Sequence, residues 1–162
     1  MNNCSFFIPS KALFGGFPTQ EETNNLEIKG VRYFVNLTCD NEDKIYPYTT
    51  IYNKISFPIH DRNIPDNISE FSEFIIKISN IITNLNTDEL VYIHCKGGHG
   101  RSGIVVACVL CYLYNMDAES AIQYTNTCHN TRINMKEKWR KIGSPQTIQQ
   151  KNFVHLYKNS IT

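Results

Sequence analysis

The 162-residue sequence has almost no net charge and no long run of apolar residues. Its 16 lysine and arginine residues nearly balance 15 aspartate and glutamate residues, which leaves a formal net charge of +1. Proteins that bind nucleic acid through their overall charge are clearly basic, so this composition gives no strong nucleic-acid footprint. The longest apolar run, residues 104–114, is much shorter than the roughly 20 residues that cross a bilayer. The sequence therefore predicts no transmembrane segment.

The sequence also lacks the basic start of a secretion signal at residues 1–5. Without such a signal, its six cysteines suit a reducing compartment better than a disulfide framework. We therefore expect a cytoplasmic protein, with the nucleus also accessible to it, that is not secreted. At this length the chain is predicted to form one domain, residues 1–162, with enough interior for an apolar core.

Strand and helix patterns alternate along the chain. Apolar periodicity predicts strands at residues 11–14, 31–37, 51–59 and 90–94, and helices at 19–28, 68–85 and 104–114. Capping residues predict further helices that begin at Asp117 and Thr147, and residues 133–141 are also predicted to be helical. This order predicts an α/β fold, a single three-layer domain with a central, mostly parallel sheet flanked by helices.

The most informative segment is the glycine-rich stretch HCKGGHGRSG at residues 94–103, which lies between a predicted strand and a predicted helix. Backbone N–H groups that converge before a helix N-terminus bind anions, and glycines let the backbone curl around a tetrahedral group. Arg101 can bind two phosphate oxygens at once. A helix N-terminus and a nearby cation favour the thiolate form of a cysteine, so Cys95 is a candidate nucleophile.

The remaining side chains of this segment have candidate roles of their own. Ser102 can donate its hydroxyl hydrogen to Cys95, and His94 is expected to organise the loop, because a thiolate needs no base. The predicted phosphate-binding residues are Lys96, Gly97, Gly98, His99, Gly100 and Arg101.

A metal site is an alternative interpretation of this segment, because Cys95 has histidines close to it in sequence. Consecutive residues of a strand point to opposite faces, so His94 and Cys95 cannot both bind one ion easily. The chain also has no second Cys/His cluster with zinc spacing. The prediction is that the protein has no metal site and no cofactor.

His94, Cys95, Arg101 and Ser102 match the His-Cys-x5-Arg-Ser/Thr signature, and the chain therefore resembles the cysteine-based protein tyrosine phosphatase superfamily. From residue 14 to residue 157 the order of elements is similar to that of the compact dual-specificity phosphatases. The resemblance implies hydrolysis of phosphate monoesters through a cysteinyl-phosphate intermediate. It also implies the dual-specificity phosphatase fold.

This chemistry needs a proton donor for the leaving oxygen. Residues 58–66 contain two candidates, Asp61 and Asp66. Asp66 precedes the long amphipathic helix and is interpreted as its N-cap. Asp61 matches the aspartate of the family's mobile acid loop, so it is the preferred general acid and base.

The resemblance also bears on the substrate. Tyrosine-specific members carry a tryptophan in the acid loop and a long recognition loop. Here the one tryptophan is Trp139, and only short connections precede the first predicted strand. These differences favour a shallow pocket for phosphotyrosine and phosphoserine/threonine of proteins. A phosphoinositide substrate stays open, because Cys-Lys-x-Gly-x-Gly-Arg is similar to lipid phosphatase loops, although His99 replaces a second lysine. An RNA 5′-triphosphate phosphatase and a catalytically silent phosphate-binding module also stay open.

Four other residues, two glutamines and two arginines, each have two alternative roles. Gln146 and Gln150 resemble glutamines that position the hydrolytic water, or they are exposed helical glutamines without a role. Arg132 and Arg140 contact substrate, or they belong to a solvated helix face. Cys39 follows a predicted strand end and is predicted to form a protective disulfide with Cys95.

Overall fold

In the computed structural model, which describes residues 3–162, five strands form one sheet in the order β1-β2-β5-β3-β4. The strands are β1 (Cys4–Ile8), β2 (Ala12–Gly15), β3 (Val31–Asn36), β4 (Asn53–Ser56) and β5 (Leu90–His94). Strand β1 is antiparallel to β2, and all other neighbouring pairs are parallel. The predicted mostly parallel sheet is confirmed.

Six helices occur in the described residues, and five of them pack against the sheet. They are α1 (Gln20–Ile28), α2 (Ile68–Thr83), α3 (Arg101–Tyr114), α4 (Ala118–Asn130), α5 (Glu137–Ile142) and α6 (Ile148–Ser160). Helices α2, α3, α4 and α6 contribute to the larger apolar core, which includes Phe71, Val105 and Val154. A smaller core on the other face joins Leu26 of α1 to Phe34 of β3. This arrangement confirms the predicted three layers.

Strand β5 is the central strand of the sheet, and all five of its residues are buried. A strand that is covered on both faces is a nearly continuous apolar run, and LVYIH has this pattern. Among the described residues, no helix is both long and apolar enough to cross a membrane.

The ends of the peripheral elements differ from the prediction. The sequence does not predict strand β1, because residues 4–8 show no clear alternation of apolar and polar residues. Strand β4 is confined to Asn53–Ser56 instead of residues 51–59. As an edge strand it pairs only with β3, and Ile51 remains 85% exposed. After β4, the N–H of Phe57 donates a hydrogen bond to the carbonyl of Asn36 in β3. The N–H of Ile59 donates to the carbonyl of Leu37.

Two helix starts also differ. The helix predicted at residues 133–141 is α5, which begins only at Glu137 and ends at Ile142 before the left-handed Gly143. Helix α2 is capped by Asn67, whose side chain accepts hydrogen bonds from the N–H groups of Ser69 and Glu70. The interpretation of Asp66 as the N-cap was therefore wrong by one residue.

Candidate active site

The segment at residues 94–103 links the carboxyl end of β5 to the N-terminus of α3, which begins at Arg101. The neighbouring strands hold this end of β5 in place. The carbonyl of His94 accepts a hydrogen bond from the N–H of Leu37, and the N–H of Cys95 donates to the carbonyl of Gly15. Cys95 therefore lies where the central strands end, which is the usual location of a ligand site in an open α/β sheet.

The loop curls tightly around the Cys95 thiol. The N–H of Gly98 donates to Sγ of Cys95 over 3.2 Å, and Oγ of Ser102 lies 3.5 Å from the same sulfur. Gly98 has a left-handed φ of +79°, and a Cβ there would lie 2.4 Å from the carbonyl carbon of Gly15. Only glycine fits this close approach of two backbones.

The Arg101 guanidinium is buried and fully engaged on one side. Its Nη1 donates to Oε2 of Glu42 at 2.7 Å and to the carbonyl of Ile59 at 2.9 Å. Its Nη2 donates to Oε1 of Glu42 at 2.9 Å and to Oδ1 of Asp61 at 3.1 Å. The Glu42 contact is bidentate, so it fixes the plane of the guanidinium as well as its position.

Glu42 was not among the predicted site residues. Burial opposes ionisation of its carboxyl, but hydrogen bonds from Arg101 and from the N–H of Cys39, 2.6 Å away, outweigh that and hold its pKa below the usual range. Glu42 is therefore an ionised counterion for Arg101. It lies in a polar loop with no periodicity, 59 residues before its partner.

Asp61 and Arg101 meet at the mouth of the site. The Asp61 side chain is 56% exposed, whereas that of Arg101 is 1% exposed. Arg62, with a left-handed φ of 62°, forms part of the turn that presents Asp61. Asp66 makes no such contact with Arg101, because the two acidic residues that bind it in the described chain are Glu42 and Asp61.

His94, the predicted loop organiser, is fully buried. Its Nε2 shares a 2.7 Å hydrogen bond with the hydroxyl of Tyr48, and the ring of Phe17 packs edge-on against it at 4.9 Å. Burial lowers the pKa of His94 to about 3, so the imidazole is neutral and cannot take part as an acid near neutral pH. Tyr48 is a second residue that the sequence did not reveal.

His99 does not add a positive charge to the loop, although its position suggested one. Burial and the nearby His129 and Arg132 lower the pKa of His99 to about 3. Its Nδ1 shares a 2.7 Å hydrogen bond with Nε2 of His129, and its ring stacks on Trp139 at 4.8 Å between centroids. His99 therefore anchors the loop to α4 and α5 as a neutral ring.

Arg132 and Arg140 hold backbone carbonyls. Arg132 is 4% exposed and donates to the carbonyls of Gly98 and Phe14 at 2.7 and 3.1 Å and to the Ser5 hydroxyl at 3.2 Å. Arg140 donates from Nη2 to the carbonyl of Arg132 at 2.9 Å. Arg132 does not belong to a solvated helix face, because its guanidinium is buried and supports the phosphate loop (residues 94–103) through the Gly98 carbonyl.

The two glutamines differ in environment. Gln150 is fully buried, accepts hydrogen bonds from the N–H groups of Gln146 and Thr147, and donates to the carbonyl of Asn63. It thus connects α6 to the segment after Asp61 and is not an exposed helical glutamine. The Gln146 side chain lines the same cavity as Cys95.

These side chains surround a cavity of about 280 Å³, which we call the nucleophile recess. Cys95, Arg101, Asp61 and Gln146 line it together with Lys96, Gly97, His99 and Gly100. Trp139 lines it as well, although the sequence placed no role on that residue. The structure therefore brings the predicted nucleophile, clamp and acid to one cavity.

Comparisons with known proteins agree with this geometry. A family model described as PTP-SAK, a Swiss Army Knife protein with a DSP-PTPase phosphatase domain, matches residues 1–154. The crystal structure of Tk-PTP in its active form superposes with a TM-score of 0.77 at 20% identity and covers 97% of each chain. That similarity confirms the predicted fold.

Two proteins of invertebrate iridescent viruses are similar in sequence. Protein 197R of Invertebrate iridescent virus 6, named as a tyrosine phosphatase, is 45% identical over 94% of this chain and 56% of its own length. Protein 067L of Invertebrate iridescent virus 3, similarly named, is 35% identical over 97% of this chain and 66% of its own length. The chain thus spans less than two thirds of either relative. With the family model covering nearly the whole sequence, the chain belongs to the PTP-SAK family of DSP-PTPase phosphatase domains.

Proposed function

We propose that this protein hydrolyses phosphate monoesters, on phosphotyrosine and phosphoserine/threonine of proteins, through a cysteinyl-phosphate intermediate. The observation that carries this proposal is the nucleophile recess, where the Cys95 thiol, the Arg101 guanidinium and the Asp61 carboxyl line one cavity. Residues 1–162 act as a single catalytic domain in this proposal. Since all six cysteines are free, a reducing compartment such as the cytoplasm or nucleus suits the nucleophile.

The first step transfers the phosphoryl group to sulfur. The Cys95 thiolate attacks phosphorus, the bond to the ester oxygen breaks, and Asp61 gives its proton to the departing oxygen. Backbone N–H groups at residues 96–100 and the Arg101 fork bind the three non-bridging oxygens. The products of this step are the free alcohol or phenol and the cysteinyl phosphate.

The second step hydrolyses the intermediate. The Asp61 carboxylate takes a proton from a water molecule, which attacks phosphorus and releases inorganic phosphate from sulfur. The Ser102 hydroxyl, 3.5 Å from Sγ, stabilises the thiolate as it leaves. Gln146 lines the recess and is available to orient the water, whereas the Gln150 amide is occupied by backbone contacts.

Substrate binding changes the partner of Arg101. In the free protein its Nη2 contacts Asp61, and Nε makes no hydrogen bond within the described chain. A phosphate that takes both Nε and Nη2 displaces the Asp61 carboxylate from the guanidinium. Asp61 is then free to approach the ester oxygen, while Glu42 still holds the far edge of Arg101.

The neutral His99 bears on the choice between protein and phosphoinositide substrates. A lipid headgroup carries several phosphates, whereas the cations that line the nucleophile recess besides Arg101 are Lys96 and Arg62, and His99 is neutral. This supports phosphorylated protein as the substrate class. A silent binding module is not favoured, because nucleophile, clamp and acid are all present.

The test is turnover of p-nitrophenyl phosphate and of phosphotyrosine and phosphoserine/threonine peptides by the purified protein and by Cys95→Ser. We expect turnover by the protein, none by Cys95→Ser, and a phosphorylated Cys95 in rapidly quenched reactions analysed by mass spectrometry. Cys39→Ser is the matched control and should retain activity. Equal rates for the protein and Cys95→Ser would show that the protein only binds phosphate.

A further inference from the structure

A groove of about 460 Å³ runs along the surface between α4 and α6, and we call it the α4–α6 groove. Helix α4 lines it from Glu119 to Asn126, and helix α6 lines it from Ile148 to His155. At 1.5 Å per residue each wall is roughly 10 Å long, which matches about three residues of an extended chain. At the end away from Ile148, Nε2 of His155 lies 3.6 Å from Oε2 of Glu119. The residues of the phosphate loop do not line this groove, so it is a separate feature of the surface.

A short segment connects the α4–α6 groove to the nucleophile recess. Ser144 lines the groove, whereas Gln146, two residues later, lines the nucleophile recess. Two residues of extended chain span at most about 7 Å. The Ser144 hydroxyl also donates to the carbonyl of His99 at 2.6 Å, which joins this segment to the phosphate loop. A substrate chain that leaves the nucleophile recess over Gln146 therefore reaches the groove within a few residues.

The net charge of +1 conceals an uneven distribution of charge along the chain. Residues 132–162 contain seven lysines and arginines and one acidic residue, whereas residues 1–131 contain nine and 14. The groove draws two lysines, Lys141 and Lys151, from the basic part. Neither lysine forms an ion pair within the part of the chain that the structure describes. Cations that are not neutralised nearby attract an acidic partner.

The groove also offers apolar and amide groups. Ile148 is 77% exposed at its rim, and Ile122 is nearly buried against the core. The side chains of Asn126 and Asn152 line the groove. Oδ1 of Asn126 accepts a hydrogen bond from the N–H of Ser144, and its Nδ2 has no partner within the described residues. Side-chain amides bind the N–H and carbonyl groups of an extended peptide, while an exposed isoleucine packs against an aliphatic side chain.

The chemistry of the groove distinguishes between classes of anionic partner. Among the described residues no aromatic side chain lines it, so the bases of a nucleic acid have nothing on which to stack. A bilayer surface is flat on the scale of a groove roughly 10 Å long, so lipid headgroups do not reach its base. An acidic protein segment with aliphatic side chains matches the lysines, the isoleucine and the amides together.

We propose that the α4–α6 groove is a docking site for an acidic, extended segment of the phosphorylated protein substrate. The segment places carboxylates beside Lys141 and Lys151 and an aliphatic side chain on Ile148. This rests on the proposed function and adds to it a recognition of the substrate away from its phosphorylated residue. Docking lowers KM and leaves kcat unchanged, because the groove does not touch the reacting atoms.

The first test measures docking without catalysis. The ¹⁵N-labelled protein is titrated by NMR with an unphosphorylated peptide in which aspartates alternate with isoleucines. We expect the amide signals of residues 119–126 and 148–155 to shift, and those of the phosphate loop to stay in place. Lys141→Gln combined with Lys151→Gln should weaken binding about threefold to tenfold, the loss of two exposed ion pairs. Lys77→Gln, which changes an exposed lysine of α2, is the matched control and should bind normally.

The second test measures the effect of docking on turnover. A phosphotyrosine peptide is compared with the same peptide joined to the acidic segment by a glycine-serine linker. The joined peptide should have a KM about threefold to tenfold lower at an unchanged kcat. The double variant of Lys141 and Lys151 should lose this gain, and Ile148→Ser should reduce it. Ile28→Ser, which changes a similarly exposed isoleucine at the end of α1, should keep it, and p-nitrophenyl phosphate should be turned over equally by all variants.

The outcomes separate the docking site from the proposed function. Absence of p-nitrophenyl phosphate turnover would overturn the proposed function, and the NMR titration would still report on the groove. If the acidic peptide shifts no amide of α4 or α6, or binds the double lysine variant equally well, the docking proposal is wrong. If instead vesicles containing phosphatidylserine, or an oligouridylate, bind through the two lysines and the peptide does not, the groove serves a membrane or an RNA, and the protein assignment is wrong.

Discussion

Glu42 illustrates what a single residue contributes to this site. The sequence shows Arg101 plainly, because it stands six positions after Cys95 in a glycine-rich loop. It does not show which carboxylate orients Arg101, since Glu42 belongs to a polar loop that contains neither a helix nor a strand. Local patterns therefore identify residues within the phosphate loop, whereas partners from distant loops emerge only when the chain is folded.

We predict that Glu42→Gln lowers turnover about tenfold to a hundredfold, because the guanidinium fork is no longer aimed at phosphate. Stability should fall by about 2 kcal/mol at neutral pH, the value of a hydrogen bond between charged groups. The folded-state pKa of Glu42 is depressed, so this stability is present above the unfolded carboxyl pKa of about 4.3 and is lost as pH falls through the folded value.

Urea denaturation of both proteins at neutral and at acid pH measures this difference. The exposed Glu73→Gln in α2 is the control and should change neither stability nor turnover. A stability difference that stays constant down to the most acid pH at which the protein folds would contradict the role of an ionised Glu42.

A second prediction distinguishes the roles of Asp61 and Asp66, the two aspartates that follow β4. Asp61→Asn should reduce turnover of an alkyl phosphate by about 10²- to 10⁴-fold, because no proton reaches the leaving oxygen. The loss should be smaller for p-nitrophenyl phosphate, whose leaving group needs less protonation. Asp66→Asn is the matched control and should be neutral in both turnover and stability, because Asn67 caps α2. Equal losses in the two variants would refute the assignment of Asp61.

At the scale of helices and strands, the limits of an element are predicted more reliably from the sequence when its residues are buried. Strand β5 and helix α3 are apolar on nearly all sides, so their sequences predict a buried strand and a buried helix without an alternative. Elements at the periphery are different. Strand β4 has one pairing partner and mostly exposed residues, and α5 has no buried residue, so tertiary contacts set their limits.

The loop between β5 and α3 allows a test of backbone fit. We predict that Gly98→Ala removes most activity and costs about 2 kcal/mol or more in stability, because a Cβ at φ +79° meets the backbone of Gly15 at 2.4 Å. Gly16→Ala is the comparison and should lose less, since its φ is not left-handed and its Cβ would meet the Lys96 carbonyl oxygen at 3.3 Å, a tight contact that a small shift relieves. Turnover measurements and thermal denaturation of both variants compare their losses of activity and stability. Comparable losses in the two would show that the contact between the backbones is unimportant.

At the scale of the whole molecule, Arg132 connects parts of the chain that are far apart in sequence. It follows α4, yet its guanidinium reaches Ser5 of β1, Phe14 of β2 and Gly98 of the phosphate loop. Sequence could not assign this role, because a lone arginine between helices is usually solvated. A mostly parallel sheet was predictable from the alternation of elements, but strand β1, the strand order and the buried cation were not.

We predict that Arg132→Met destabilises the protein by about 3 kcal/mol, because two buried carbonyls lose their donor. Turnover should also fall, since Gly98 loses its support. Arg32→Met is the matched control, because Arg32 likewise donates to two carbonyls and lies over an aromatic ring but is only half-buried. Urea denaturation measures the stability loss in each of the two variants, and turnover assays measure the loss of activity. A larger loss in Arg32→Met would contradict the connecting role of Arg132.

The stack of Trp139 on His99 has a practical consequence. The chain has a single tryptophan, and its indole lies against the ring of a residue in the phosphate loop. Any shift of that loop changes the surroundings of the only strongly emitting fluorophore in the molecule. Intrinsic fluorescence at one wavelength therefore reports the conformation of the loop directly, so that ligand-induced motion can be timed by stopped flow without attaching a dye.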